Sequence, residues 1–131
     1  MNPTLKHRKE IGQWIGRMKW DLFITLHFYK NATQKNSRRN ITYLNKRNSK
    51  RINKLFFVSE KGIDGTTHSH LLIETNDKKG VRRSLDPLKK WSHVHCVDVC
   101  PLIQENGVLR LGEYLAKSID EDIDYDILIN D

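Results

Sequence analysis

The sequence predicts an α+β fold with helices packed on an antiparallel sheet, and three observations predict it. The run "WDLFITLHFY" alternates: Leu22, Ile24, Leu26 and Phe28 point one way, and Phe23, Thr25, His27 and Tyr29 the other, as a strand with two unlike faces requires. The runs "KLFFVSE" and "THSHLLIE" flank "GIDGT", which reads as an antiparallel hairpin. Segments of helical or polar, basic character separate these runs. The 131 residues carry no internal repeat, low-complexity tract or Gly/Ser linker, so residues 1-131 are read as one domain around a single core.

Each element follows in order. Leu5, Ile11, Trp14, Ile15 and Met18 recur at helical spacing and predict an extra N-terminal helix over 3-17. The first strand follows. From Asn31 to Asn53 the chain is polar and basic, with Ile41, Leu44 and Ile52 as its anchors, and reads as a loop and a helix of open limits. After the hairpin, a short helix is expected from Val81 to Trp91, with Asp86-Pro87 able to start a helical turn. "SHVHCVDV" is a fourth strand, and a last helix is expected near Leu109 to Ile119. The central βαββαβ order predicts a ferredoxin-like, or RRM-like, sandwich.

Net charge is +7 and is unevenly spread. Up to Phe57 the acids are Glu10 and Asp21 alone, whereas the tail 120-131, "DEDIDYDILIND", is acidic and lacks any base. A basic body suits either a polyanionic partner, most often nucleic acid, or a merely solubilising surface. The tail is expected to be a solvated end, with competition for the basic face as the alternative. No apolar run approaches the roughly 20 residues that a bilayer span needs, and Met1 to Gly12 lacks the apolar stretch of a secretory signal. A cytoplasmic protein without membrane contact is therefore expected. Cys96 and Cys100 lie four apart in a strand-like stretch, about 13 Å by the strand rise, too far for a mutual disulfide.

On a strand, His68 and His70 project from one face about 6.6 Å apart, within reach of one ion. Alone, such a pair is more often two polar residues at a strand end. A carboxylate would complete it, and Glu60 ends the preceding strand. Parity decides the matter: a two-residue Asp64-Gly65 turn sets Glu60 opposite Ser69, on the wrong face, whereas an odd-length connection sets it opposite His68 or His70. The odd-length connection is predicted. Glu74 shares the histidine face but lies about 13 Å from His70 along the strand, and is expected to be solvated. His93 and His95 also alternate, without an acid at hairpin distance, and Asp98 has the opposite parity to both. In "LGEYLAKSI", Tyr114 and Lys117 are three apart, about 60° around a helix, so both can face one site. Beside a divalent ion that polarises a phosphodiester, a tyrosine hydroxyl can attack phosphorus while a lysine offsets the developing charge.

"FITLHF", Glu60 before "HSH", and "YLAK" stand in that order from Phe23 to Lys117. The set resembles the HUH endonuclease superfamily and, within it, the single-tyrosine rolling-circle replication initiators (Rep) of small viruses and plasmids. The resemblance implies a ferredoxin-like HUH endonuclease fold. It implies that Glu60, His68 and His70 bind Mn²⁺ or Mg²⁺, that Tyr114 is the nucleophile and that Lys117 assists metal or phosphate positioning. The activity implied is nicking and rejoining of single-stranded origin DNA through a 5′-phosphotyrosyl link, with release of a 3′ OH. Ser69 departs from the hydrophobic residue usual between the two histidines. No Walker A stretch follows, so a separate host helicase is expected, with a host polymerase, unless the chain is an excised domain. Phe23, Thr25, His27 and Tyr29 are candidates to contact unpaired DNA, and Arg38, Arg39, Lys46 and Arg47 to contact phosphates. A single-tyrosine HUH transposase and a ferredoxin-like binding module without catalysis remain alternatives, and a homodimer is compatible with the chain.

Overall fold

The computed structural model describes residues 5–61, 64–87, 93–100 and 124–130. Among these, the order is α1 (Leu5–Arg17), β1 (Leu22–Phe28), α2 (Gln34–Arg47), β2 (Ile52–Lys61), β3 (Thr67–Thr75), α3 (Lys78–Leu85), β4 (Val94–Cys100) and β5 (Asp124–Ile129). The five strands form one antiparallel sheet in the order β4-β1-β3-β2-β5. This is an α+β architecture, and the order 4-1-3-2 of its first four strands is compatible with the expected ferredoxin-like fold. Among the described residues, no helix is long and apolar enough to cross a membrane.

The alternation of β1 sorts the sheet into two faces. Leu22, Ile24, Leu26 and Phe28 are buried with Leu55, Phe57, Leu71 and Ile73 under Ile41 and Leu44 of α2 and Val81 and Leu85 of α3. The other face carries a smaller cluster, in which Ile15 of α1 and Trp20 pack with Phe56, Val58 and Leu72. Trp20 Nε1 donates to the Ile15 carbonyl at 2.8 Å, which ties the end of α1 to the sheet. Thus α1 covers one end of the face on which the histidines stand.

Helix α2 starts where Thr33 and Asn36 form a reciprocal cap: Asn36 N–H donates to Thr33 Oγ1 at 3.1 Å and Thr33 N–H to Asn36 Oδ1 at 2.9 Å. Asparagine here does what glutamate or glutamine does in the common capping box, which left the limits of α2 open in the sequence. Helix α3 begins three residues before the expected Val81, because Asp77 is its N-cap and accepts from Gly80 N–H at 2.9 Å. It ends at Leu85, ahead of Asp86-Pro87, where the proline ring would clash with the carbonyl four residues back. The expected last helix, Leu109 to Ile119, lies outside the described residues.

The acidic tail corrects an expectation. Asp124–Ile129 is not a solvated end but an edge strand paired with β2, Asp124 opposite Ser59 and Ile129 opposite Lys54. Its own alternation explains this. Tyr125 and Ile127 pack into the α1 cluster, while Asp124 and Asp126 face α2 and meet Arg38. Arg38 Nε and Nη2 each donate to Asp124 at 2.7 Å, and Nη1 donates to Asp126 at 3.1 Å. The Asp124 bonds hold the guanidinium above its ordinary pKa. Arg38 is 39% exposed, so solvent screens the fork. Arg38→Ala is expected to cost about 1–2 kcal/mol and to speed amide hydrogen exchange in β5 before β3. Equal protection of β5 in both proteins would show that the β2 ladder alone holds it.

Candidate functional site

The register answers the parity question. Lys61 pairs with Thr67, so residues 62–66 form an odd-length connection, and Glu60 stands directly opposite His68. Gly65 takes φ +84°, a left-handed conformation that costs glycine nothing. Thr66 donates its N–H and hydroxyl to Asp64 Oδ1 at 3.0 and 2.6 Å, and these bonds hold the exposed Asp64 carboxyl below the usual carboxylate range.

Two rows of side chains cross the sheet on this face. One runs Cys96, His27, His68, Glu60; the next runs Asp98, Thr25, His70, Val58, Tyr125. Glu60 reaches diagonally to the second row, where its Oε1 meets His70 Nε2 at 3.1 Å. A carboxylate only accepts, so Nε2 carries the proton of neutral His70, and Nδ1 accepts from the Thr25 hydroxyl at 3.1 Å. Burial lowers the His70 pKa below its ordinary value and outweighs the Glu60 bond, which raises it. His70 therefore stands neutral, the form that ligates metals. His68 Nε2 lies 3.0 Å from Thr66 Oγ1, and its ring makes an edge contact with His27 at 4.9 Å between centroids.

The three expected ligands thus share one face, and two of them meet. Two donors each about 2.1 Å from an ion and at right angles to each other stand about 3.0 Å apart, close to the Glu60–His70 separation. One carboxylate with imidazoles is also a donor set that Mn²⁺ accepts. His68, however, is turned to Thr66, and among the described residues no group of three or more His, Cys, Asp or Glu side chains is placed so that it could hold a metal ion. Glu60 and His70 come within reach of one ion only in the other tautomer, with Nε2 free of its proton and Nδ1–H donating to Thr25 Oγ1; His68 fits by position, not by orientation. Tyr114 and Lys117 lie outside the described residues.

The nucleic-acid candidates divide. Phe23 packs beside the α1 cluster and lies 6.2 Å from the His70 ring. Thr25, expected to meet DNA, is buried and bonded to His70, so it orients the imidazole instead. His27 bonds Asp98 Oδ2 at 2.8 Å. Tyr29 is 47% exposed, with its ring edge-on to His95 at 4.9 Å. Arg38, Arg39, Lys46 and Arg47 all sit on α2, against the opposite face of the sheet, and Arg38 is already engaged by β5. One strand of DNA lying over the histidines would not touch them without rounding the sheet edge.

Sequence reasoning missed two pairings. The parity that separates Asp98 from His93 and His95 places it beside His27 across β1 and β4. Together with Tyr29, Asp64, Thr66 and His68 they line an open cleft of about 540 Å³. Glu74, expected to be solvated, pairs with Lys54 at 3.3 Å, each about one quarter exposed. Ser69 packs behind the histidines as one of a buried serine pair, its Oγ 2.6 Å from Ser59 Oγ, where a larger apolar side chain would not fit the same bond.

Comparison with known proteins adds no family: the chain matches no family model, and no curated protein and no solved structure matches it significantly. Function therefore rests on the site itself.

Proposed function

We propose that this chain nicks and rejoins single-stranded DNA as an HUH-type replication initiator, with Glu60, His68 and His70 holding Mn²⁺ or Mg²⁺. The observation that carries this reading is the hairpin register, which brings a carboxylate onto the face of the histidine pair and into contact with His70. When bound, the ion would polarise the scissile phosphodiester. Glu60 and His70 would supply donors from neighbouring strands, with the His70 proton moved from Nε2 to Nδ1, where it would donate to Thr25 Oγ1, the kind of outer contact that fixes a ligand's orientation. In the reaction the Tyr114 oxygen bonds to phosphorus, the bond from phosphorus to the 3′ oxygen breaks, and the phenol proton leaves as the 3′ oxygen gains one. Reversal rejoins the strand. Lys117 would face the phosphate. Phe23 and Tyr29 offer rings on the same face for unpaired bases.

A binding module without catalysis is the second reading, favoured by the Glu60–His70 contact, which satisfies both groups without a metal. One experiment separates the two. The intact chain, incubated with Mn²⁺ and labelled single strands of varied sequence, is expected to form a denaturation-resistant protein-DNA adduct that Tyr114→Phe abolishes. Adduct formation by Tyr114→Phe would remove that tyrosine as nucleophile. Binding without any adduct or cleavage would leave the binding module.

A further inference from the structure

The strongest charge on the described surface lies away from the histidines. Neither α2 nor α3 contains an acidic residue. Their exposed cations include Lys35, Arg39, Lys46, Arg47, Lys79 and Arg82. The helices adjoin: Asn48, at the C-cap of α2, donates to Ser84 Oγ at 2.9 Å, and Arg51 pairs with Asp77, the N-cap of α3, at 3.4 Å. One continuous basic face results.

Part of this distribution is costly to the fold, whereas Lys46, Arg47, Arg82 and Arg83 sit in last turns, where the helix dipole favours cations. Lys35 and Arg39, Lys78 and Arg82, and Lys79 and Arg83 are like charges four apart on their helices, a spacing that destabilises a helix. Lys35, Lys78 and Lys79 also sit in first turns, where the helix dipole disfavours cations. A surface serving only solubility would interleave acids and relieve both. Arg38 differs, because Asp124 and Asp126 neutralise it.

We infer that the α2–α3 face binds the phosphate backbone of double-stranded nucleic acid, as a surface separate from the histidine face. The chemistry selects this partner. Cations on a rigid platform suit regularly spaced phosphates, and the 14 residues of α2 extend about 21 Å, roughly six base pairs of rise. Single strands are held through stacking rings as well as charge, but Tyr43 is the one large aromatic exposed on α2 and α3. A membrane surface would need several apolar side chains beside the cations to enter the bilayer boundary, and Tyr43 is the one large exposed side chain of that kind on α2 and α3. The inference does not depend on the metal site.

The test measures binding of a labelled 20-base-pair duplex of arbitrary sequence to the intact chain between 50 and 200 mM salt. The substitutions Arg39→Gln, Lys46→Gln, Lys79→Gln and Arg82→Gln, made together, are expected to weaken binding at least tenfold and to flatten the log–log salt dependence by about 3 to 4. The melting temperature should hold, since the repulsion removed at Arg39 and Lys79 offsets the favourable last-turn charges lost at Lys46 and Arg82. Unchanged duplex affinity or an unchanged salt slope in this variant would overturn the inference. So would tighter binding to a 20-nucleotide single strand, or to phosphatidylserine vesicles, lost through the same four substitutions.

Discussion

Phe57→Ala is expected to destabilise the protein by about 3–5 kcal/mol, a large part of the 5–15 kcal/mol that holds a typical domain together. Phe57 is fully buried in β2, in the cluster that α2 and α3 cover. Its ring lies 5.1 Å from the Arg38 guanidinium carbon, so truncation also removes the surface over which Arg38 lies on its way to Asp124 and Asp126. The main loss is transfer and cavity energy; the cation–π contact adds about 0.5–1 kcal/mol at a half-exposed site. Urea unfolding should show a lower midpoint at an unchanged slope, with the melting temperature down by about 10–20 °C. A loss below about 1.5 kcal/mol would mean that α2 collapses into the space, and that the core sets the helix position less firmly than its burial implies.

The residues that were legible in the sequence are those governed by period and parity. β1 reads directly because one face is wholly apolar, and a one-residue slip would bury His27 and expose Leu26. The Glu60 register matches the expected odd-length connection, the one that puts its carboxylate on the histidine face, but parity by itself leaves the length of that connection open. What escaped depended on partners distant in sequence. β5 is hidden because Asp124 and Asp126 look like solvated acids until Arg38, on another element, neutralises them. The His27–Asp98 pair required knowing that β4 lies beside β1, which no local pattern states. The division of the basic residues from the histidines came from the same source: charge in a sequence has a sign and a position, but no face until α2 packs on one side of the sheet.

His70→Gln tests the site most sharply, because glutamine can keep polar contacts with Glu60 and Thr25 while removing the imidazole donor. Losing an outer hydrogen-bond partner of a metal ligand costs about 10–100-fold in metal affinity or activity, so losing the donor itself should cost at least about 100-fold in Mn²⁺ affinity and in adduct formation. Calorimetric titration with Mn²⁺ alone reads the first, and affinity equal to the parent's would remove His70 from the ligand set. The same variant isolates a pH effect whose sign is fixed. His70 is 12% exposed, and burial lowers its folded pKa from the ordinary 6.5, so below that value the unfolded chain takes up the proton first. Its contribution to stability is complete above pH 6.5 and declines as pH falls toward the lowered folded value. Glu60, His68 and His27 face the same imidazole and shape the curve: Glu60 raises the folded value against burial, while His68 and His27 lower it further. Urea midpoints measured from pH 8 down to 5 should fall more steeply in the parent than in His70→Gln below pH 6.5. Parallel curves would mean that His70 gains its proton as readily in the fold as in the open chain, and the neutral imidazole that a metal requires would lose its physical basis.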